Sequence, residues 1–251
     1  MSENKYDLFE KEEELLESLF PKKSYLLKNN RHEKLILENS RGDKIVRHYI
    51  KKPADISVYR TLSTITSSRL CTIYQVSESE DRYAVTEEYC SGMTFAEYID
   101  SEKISDRDKI ETACEILKGL HALHSCRVIH RDIKPDNIIL CDDNSVKIID
   151  FDISKLHKTS KTSDTQLLGT IGYAAPEQFG FTQSDERSDL YSLCVMLNAA
   201  LTGEHPSVKM YENKAVSKVL SKCLSINPNE RYNSAVELYK ALKKAQRSVK
   251  R

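Results

Sequence analysis

The sequence predicts an α+β chain in two lobes: a small β-rich first lobe with one main helix, then a larger, mostly helical one. Three observations lead there. Between residues 24 and 52, three short alternating segments, "SYLLKNN", "EKLILENS" and "KIVRHYIKK", are separated by turn residues. From Thr94 onward, apolar residues recur at helical spacing instead. At 251 residues the chain is long enough to bury two small cores rather than one.

The elements follow in order. Tyr6 to Phe20 places Leu8, Phe9, Leu15, Leu16, Leu19 and Phe20 near one helical face among glutamates, and Pro21 ends that helix. Asn29-Asn30 and Arg41-Gly42-Asp43 supply turns between the three strands, because Asn and Gly accept positive φ. A helix is expected over Ala54 to Ile65, then strands near Cys71–Val76 and Tyr83–Glu88. Ile110, Ala113, Ile116, Leu117, Leu120 and Leu123 mark a long buried helix from Asp106 to Ser125. Two strand-like runs, "NIIL" and "VKIID", follow, and the remainder reads as helical apart from a loop near 155–182. The expected division is an acidic helical extension over 1–23 and a domain over 24–251. Within it a first lobe covers 24–89, a hinge lies at about 88–92, and a second lobe covers 93–251.

Bulk properties exclude some functions. Lys plus Arg and Asp plus Glu number 38 each, so no net positive charge drives nucleic-acid binding. No apolar run reaches the roughly 18 residues that span a bilayer. The acidic N-terminus lacks the basic-then-apolar layout of a signal peptide. A cytoplasmic protein with no nucleic-acid or membrane partner is therefore expected. The seven cysteines are scattered, odd in number and never spaced as CxxC, so they read as reduced packing residues.

The chemistry concentrates in "VIHRDIKPDNIIL", residues 128–140. Phosphoryl transfer needs a positioned nucleophile, positive charge near the transferring group and oxygen ligands for magnesium. Asp132 can accept the proton of a hydroxyl nucleophile, and Lys134 can stabilise developing negative charge. Asn137, five residues after Asp132, can offer an amide oxygen to Mg²⁺, and Asp150 a carboxylate. The bland alternative is a charged surface turn, which would require the whole string to coincide by chance.

"HRDIKPDN", followed by "KIIDFD", "GTIGYAAPEQ" and "SDLYSL", resembles the eukaryotic-type (Hanks-type) Ser/Thr protein kinases, in particular minimal bacterial members. The resemblance covers about residues 24–245 and is most specific in the second lobe. It implies a bilobal protein-kinase-like fold and an ATP- and Mg²⁺-dependent transfer to protein hydroxyls, those of the chain itself included, with Mn²⁺ as an alternative to Mg²⁺. It also implies that Asp132 is the base, that Lys134 with Thr170 marks Ser/Thr specificity, and that Asn137 and Asp150 hold the metal. Glu177 is then expected to pair with Arg231, and Asp189 to anchor the catalytic loop. Arg131 is expected to meet a phosphate on Thr159, Ser160, Thr162, Ser163 or Thr165, if these are more than a solvated loop.

The first lobe departs from the family pattern. Lys51 is read as the lysine that pairs the nucleotide phosphates, in preference to Lys52, with Tyr49 at the position that contacts adenine. The glycine-rich phosphate loop is missing, and "LKNNRHEKL" stands there, with Arg31 or Lys28 as substitute charges. The helix glutamate is also missing, with Val58 at its place and Asp55 a turn earlier. Glu87 at the hinge is expected to pair with Lys51 instead, and Glu88 to Cys90 to offer backbone groups to adenine. In the second lobe about ten residues separate "LTGEHP" from "VSKVLSKCL", and Cys194 replaces a common glycine. Asp152 stands where the family has glycine, facing solvent or a second cation. These departures keep a pseudokinase open, a nucleotide-binding or scaffolding module, beside the active enzyme. A kinase-like enzyme for small molecules would lack the Lys134–Thr170 pair and "APE".

Overall fold

The computed structural model describes residues 5–101, 104–156, 170, 172–179 and 184–249. It divides into two compact units, residues 1–66 with 71–90, and residues 67–70 with 91–251. The acidic N-terminal helix falls within the first unit. Among the described residues no helix is long and apolar enough to cross a membrane.

The first unit is a five-stranded antiparallel sheet in the order β1-β2-β3-β5-β4. Its strands are β1 (Lys22–Lys28), β2 (His32–Glu38), β3 (Lys44–Lys51), β4 (Ile73–Glu78) and β5 (Arg82–Glu88). The turns form as their asparagines dictate. Asn29 Oδ1 accepts the amides of Arg31 and His32 at 2.9 and 2.8 Å, closing β1 onto β2. Asn39 Oδ1 likewise accepts the amides of Arg41 and Asp43, and Gly42 supplies the positive φ of 89° that the second turn requires.

Both faces of β3 are covered, so the strand buries Arg47 and His48 alike. Helix α1 (Lys5–Leu19) meets one face through Phe9, Glu12 and Glu13. The apolar stripe expected of this helix is not what it buries, since Leu8, Leu15 and Leu19 are exposed. Its glutamates face inward because buried Arg47 needs counter-charge.

Helix α2 (Ser57–Leu62) lies on the other face and buries Val58, Tyr59 and Leu62. It is half the length expected from Ala54 to Ile65. The Ser63 and Thr64 hydroxyls turn back onto the carbonyls of Arg60 and Thr61, and such side-chain bonds compete with helix continuation.

The second unit is built on α4 (Asp106–Ser125), which spans the range its periodicity predicts. Ser105 caps it by accepting the Asp108 amide at 3.1 Å. Ile110, Cys114, Ile116, Leu120 and Leu123 are fully buried in it, against α5 (Glu186–Thr202) and α7 (Ala235–Gln246). Gly119 has a packing reason: a Cβ there would meet the Arg69 carbonyl at 3.0 Å and Ile148 Cδ1 at 2.9 Å. Residues 67–70 thus run close over α4, where the guanidinium of Arg69 pairs with Glu115 at 2.8 Å.

Helix α3 (Phe95–Asp100) carries a full capping box of Thr94 and Glu97. The strands β6 (Gly92–Thr94), β8 (Ile138–Cys141) and β9 (Val146–Ile148) form a small sheet, and β7 (Val128–Ile129) pairs with β10 (Lys155–Leu156). The short region after α5 holds itself together around Asn198. This side chain donates to the Glu204 and Lys209 carbonyls and accepts the Tyr211 amide before α6 (Lys214–Cys223) begins. All seven cysteines are free thiols, and Cys194 is a buried packing residue on α5.

Candidate active site

The segment between β7 and β8 carries His130 to Asn137. Its backbone is held from below by one carboxylate. Asp189 is fully buried on the first turns of α5, and it accepts the amides of His130 at 3.0 Å and Arg131 at 2.8 Å. His124 Nε2 lies 2.8 Å from the same carboxylate. Burial alone would raise the Asp189 pKa. The His124 contact and the backbone amides outweigh it and hold the group below the ordinary carboxylate range. Clamping two successive amides fixes the loop in an unusual shape, with Arg131 at φ 72°. Gln178 adds a third tie by donating to the Arg131 carbonyl at 2.7 Å.

Above this clamp the candidate catalytic groups converge. The Thr170 hydroxyl donates to Asp132 Oδ1 at 2.7 Å. Lys134 Nζ lies 2.9 Å from Asp132 Oδ2 and donates to the Thr170 hydroxyl at 3.1 Å. Asn137 Nδ2 donates to the Asp132 carbonyl at 2.9 Å and to Oδ2 at 3.0 Å. Asp132 is half-buried, and burial works to raise its pKa. Hydrogen bonds from Lys134 and Thr170, with the Lys134 charge, outweigh that and keep it below the usual range. The site therefore holds an ionised carboxylate with an ammonium beside it.

Asp150 follows β9 and is held near Asn137 by the backbone, because the Ile149 amide donates to the Asn137 carbonyl at 3.0 Å. With its amide nitrogen committed to Asp132, Asn137 has its side-chain oxygen left to offer. An amide oxygen and a carboxylate are hard donors of the type Mg²⁺ takes, so the donor set fits that ion. Asp150 sits in the left-handed region at φ 66°. The strained residue of "DFD" is thus the first aspartate, and Asp152 is a half-buried turn residue outside that region. Phe151 is buried and meets the His130 ring edge-on at 5.4 Å between centroids. His130 Nε2 donates to the Ile149 carbonyl at 3.1 Å, which joins the two halves of the site.

The expected Glu177–Arg231 pair forms, with bonds of 2.7 and 2.9 Å and Ser188 donating to the same carboxylate. Thr159, Ser160, Thr162, Ser163 and Thr165 lie outside the described residues.

The first unit corrects one expectation, the pairing of Lys51 with Glu87. In the β3–β5 ladder Lys51 is opposite Arg82, whereas Glu87 is opposite Val46. Lys51 and Val46 are five positions apart, an odd number, so Lys51 and Glu87 stand on opposite faces of the sheet. The Lys51–Glu87 pair therefore does not form, and Lys51 is exposed. Tyr49 shares the Lys51 face and spends its hydroxyl on Glu13 of α1. Burial and the Glu13 carboxylate push that phenol well above its ordinary pKa.

The β3 side chain that meets Glu87 is His48, whose Nδ1 is 3.4 Å from Glu87 Oε1. The Tyr59 hydroxyl of α2 is 3.4 Å from the same nitrogen, so α2 reaches this edge of the strand through Tyr59. The signal for His48 was in the sequence: Val46, His48 and Ile50 alternate as one face of the strand. At the hinge, the Glu88 amide donates to the Thr72 carbonyl at 2.9 Å, and the Glu88 carboxylate accepts from both the amide and hydroxyl of Thr72. Cys90, partly exposed, ends the first unit.

The second unit thus gathers Asp132, Lys134, Asn137 and Thr170 above the Asp189 clamp. The model of the protein kinase domain matches residues 34–248, and the chain belongs to that family. It is 27% identical over 242 residues to the serine/threonine-protein kinase PrkC of Bacillus subtilis, covering 85% of this chain and 37% of that protein. It is 35% identical over 136 residues to the probable serine/threonine-protein kinase PknB of Lactococcus lactis, covering 53% and 22% respectively. With the serine/threonine-protein kinase PknB of Mycolicibacterium smegmatis it shares 30% over 196 residues, 66% of this chain and 31% of that one. The chain spans less than two fifths of the length of each of these relatives.

Proposed function

We propose that the chain is a Ser/Thr protein kinase that transfers the γ-phosphoryl group of ATP to protein hydroxyls, its own included. The observation that carries this is the convergence of Lys134, Thr170 and Asn137 on the carboxylate of Asp132. In this reading Asp132 orients the acceptor hydroxyl and takes its proton, and Lys134 meets the charge developing on the transferred group. Thr170 holds Asp132 Oδ1, so that the other oxygen faces Lys134 and Asn137. Asn137 and Asp150 would hold Mg²⁺, which when bound neutralises phosphate charge and fixes the phosphate chain. Glu88 and Cys90 would flank the adenine, and Arg131 would meet a phosphorylated activation segment.

The test is incubation with labelled ATP and Mg²⁺ beside Asp132→Asn and Asp150→Asn variants. Incorporation into the chain or a generic basic protein, lost in both variants, is expected. A nucleotide-induced thermal shift without any transfer would replace the kinase reading with a nucleotide-binding scaffold.

A further inference from the structure

A cavity of about 350 Å³ opens in the second unit, and none of the candidate catalytic or metal-binding residues lines it. Its walls come from the end of α4, from β7 and from the first turn of α5. That volume lies at the small end of the range for ligand sites. Some of the polar groups in these walls are spent on each other. Arg187 grips Asp185 through bonds of 2.9 and 3.0 Å from Nε and 2.5 Å from Nη2, and its Nη1 donates to Asn229 at 2.8 Å.

Three groups are not spent. The His124 side chain is 4% exposed, and its Nδ1 has no hydrogen-bond partner. Glu186 is 43% exposed and its carboxylate accepts no hydrogen bond among the described residues; Oε2 stands 4.0 Å from that nitrogen, too far to bond. The exposed Arg127 lines the same cavity, and its guanidinium has no partner among the described residues.

Buried polar atoms are nearly always bonded, so Nδ1 calls for an explanation. Its character follows from the other side of the ring. Asp189 is ionised and takes the hydrogen of Nε2, so in the neutral ring Nδ1 presents a lone pair. Two acceptors 4.0 Å apart suit one ammonium, which at about 2.8 Å from each would bridge both. Glu186 is exposed enough to swing aside as such a group enters. The Arg127 guanidinium repels a bare cation and matches a carboxylate. Val128 and Ile129, both buried, add an apolar wall.

We propose that this cavity binds a small zwitterion, with an amine and a carboxylate on one molecule, as in a free amino acid with an apolar side chain. His124 and Glu186 take the ammonium, and Arg127 takes the carboxylate. The inference is independent of the kinase reading.

The test is calorimetry on the full chain with three probes: L-leucine, leucinamide, which lacks the carboxylate, and isocaproate, which lacks the amine. L-leucine is expected to bind with a Kd of about 1 mM or tighter, and each analogue about tenfold more weakly. Glu186→Gln is expected to weaken L-leucine about tenfold and to leave isocaproate as it is. Arg127→Asn, a residue that accepts the left-handed φ of 59° found there, is expected to weaken L-leucine about tenfold and to leave leucinamide as it is. Both positions are exposed, so the free variants should melt with the unaltered protein. No binding of L-leucine, or L-leucine held at full strength by either variant, overturns the inference. Leucinamide held as tightly as L-leucine overturns it as well, because the cavity then reads only a cation.

Discussion

Arg47 of β3 is fully buried, and its charge is met from outside the sheet by Glu13 of α1, with guanidinium bonds to Oε1 of 2.5 and 3.1 Å. Glu12 adds a second carboxylate at 2.7 Å, and Thr86 accepts from the same guanidinium. The N-terminal helix is therefore the lid over a buried charge. Removing one partner of such a pair leaves desolvated charge behind. Glu13→Ala should cost on the order of 2 kcal/mol of stability, read as a lower urea midpoint. Glu10→Ala, at an exposed position on the same helix, should leave it unchanged.

Asp189 should govern both loop geometry and acid stability. Asp189→Asn keeps the shape but loses the charge that holds two amides and His124, and should cost on the order of 3 kcal/mol. In a chain of this size that lowers the Tm by about 6–12 °C. The folded-state pKa of Asp189 is depressed, so its contribution is fully present above the unfolded value of about 3.9. It is lost as pH falls through the lower folded value. Acid titration of stability should accordingly show a loss below about pH 4 that is smaller in Asp189→Asn.

The buried pair of Glu177 and Arg231 is expected to be a matched unit. Glu177→Gln should cost about 3–5 kcal/mol, because Arg231 would remain fully buried with its charge uncompensated. The double substitution Glu177→Met with Arg231→Met should recover much of that loss in thermal unfolding. Equal damage in the single and double variants would contradict the account.

Turnover should separate from stability at the catalytic cluster. Asp132→Asn is expected to reduce phosphoryl transfer by about 10²–10⁴-fold, the usual worth of a general base. Thr170→Val removes one bond to the carboxylate and should reduce transfer by about tenfold, with Thr170→Ser restoring most of it. Circular-dichroism melts of all three should coincide within a few degrees with the unaltered protein.

Legibility in the sequence followed locality. Asp132, Lys134 and Asn137 occupy one short loop, so their order along the chain nearly states their arrangement in space. Thr170 joined them through a recognised motif, and the long helix from Asp106 to Ser125 was legible from its period alone. Helix α2 was overextended because apolar spacing does not register the Ser and Thr hydroxyls that end it. The α1 stripe was misjudged because a buried arginine on another element decides which side of that helix turns inward.

The sequence by itself determined the family and the grouping of Asp132, Lys134 and Asn137 in one loop, since each depends on residues held in fixed order over short distances. Only the tertiary structure decided which side chain of β3 stands beside Glu87. Strand side chains alternate faces, so an error of one or three positions moves a residue from one side of the sheet to the other. The register to β5 puts His48 on the face of Glu87 and Lys51 on the face of α1. That register is a property of paired strands and cannot be counted from one strand alone.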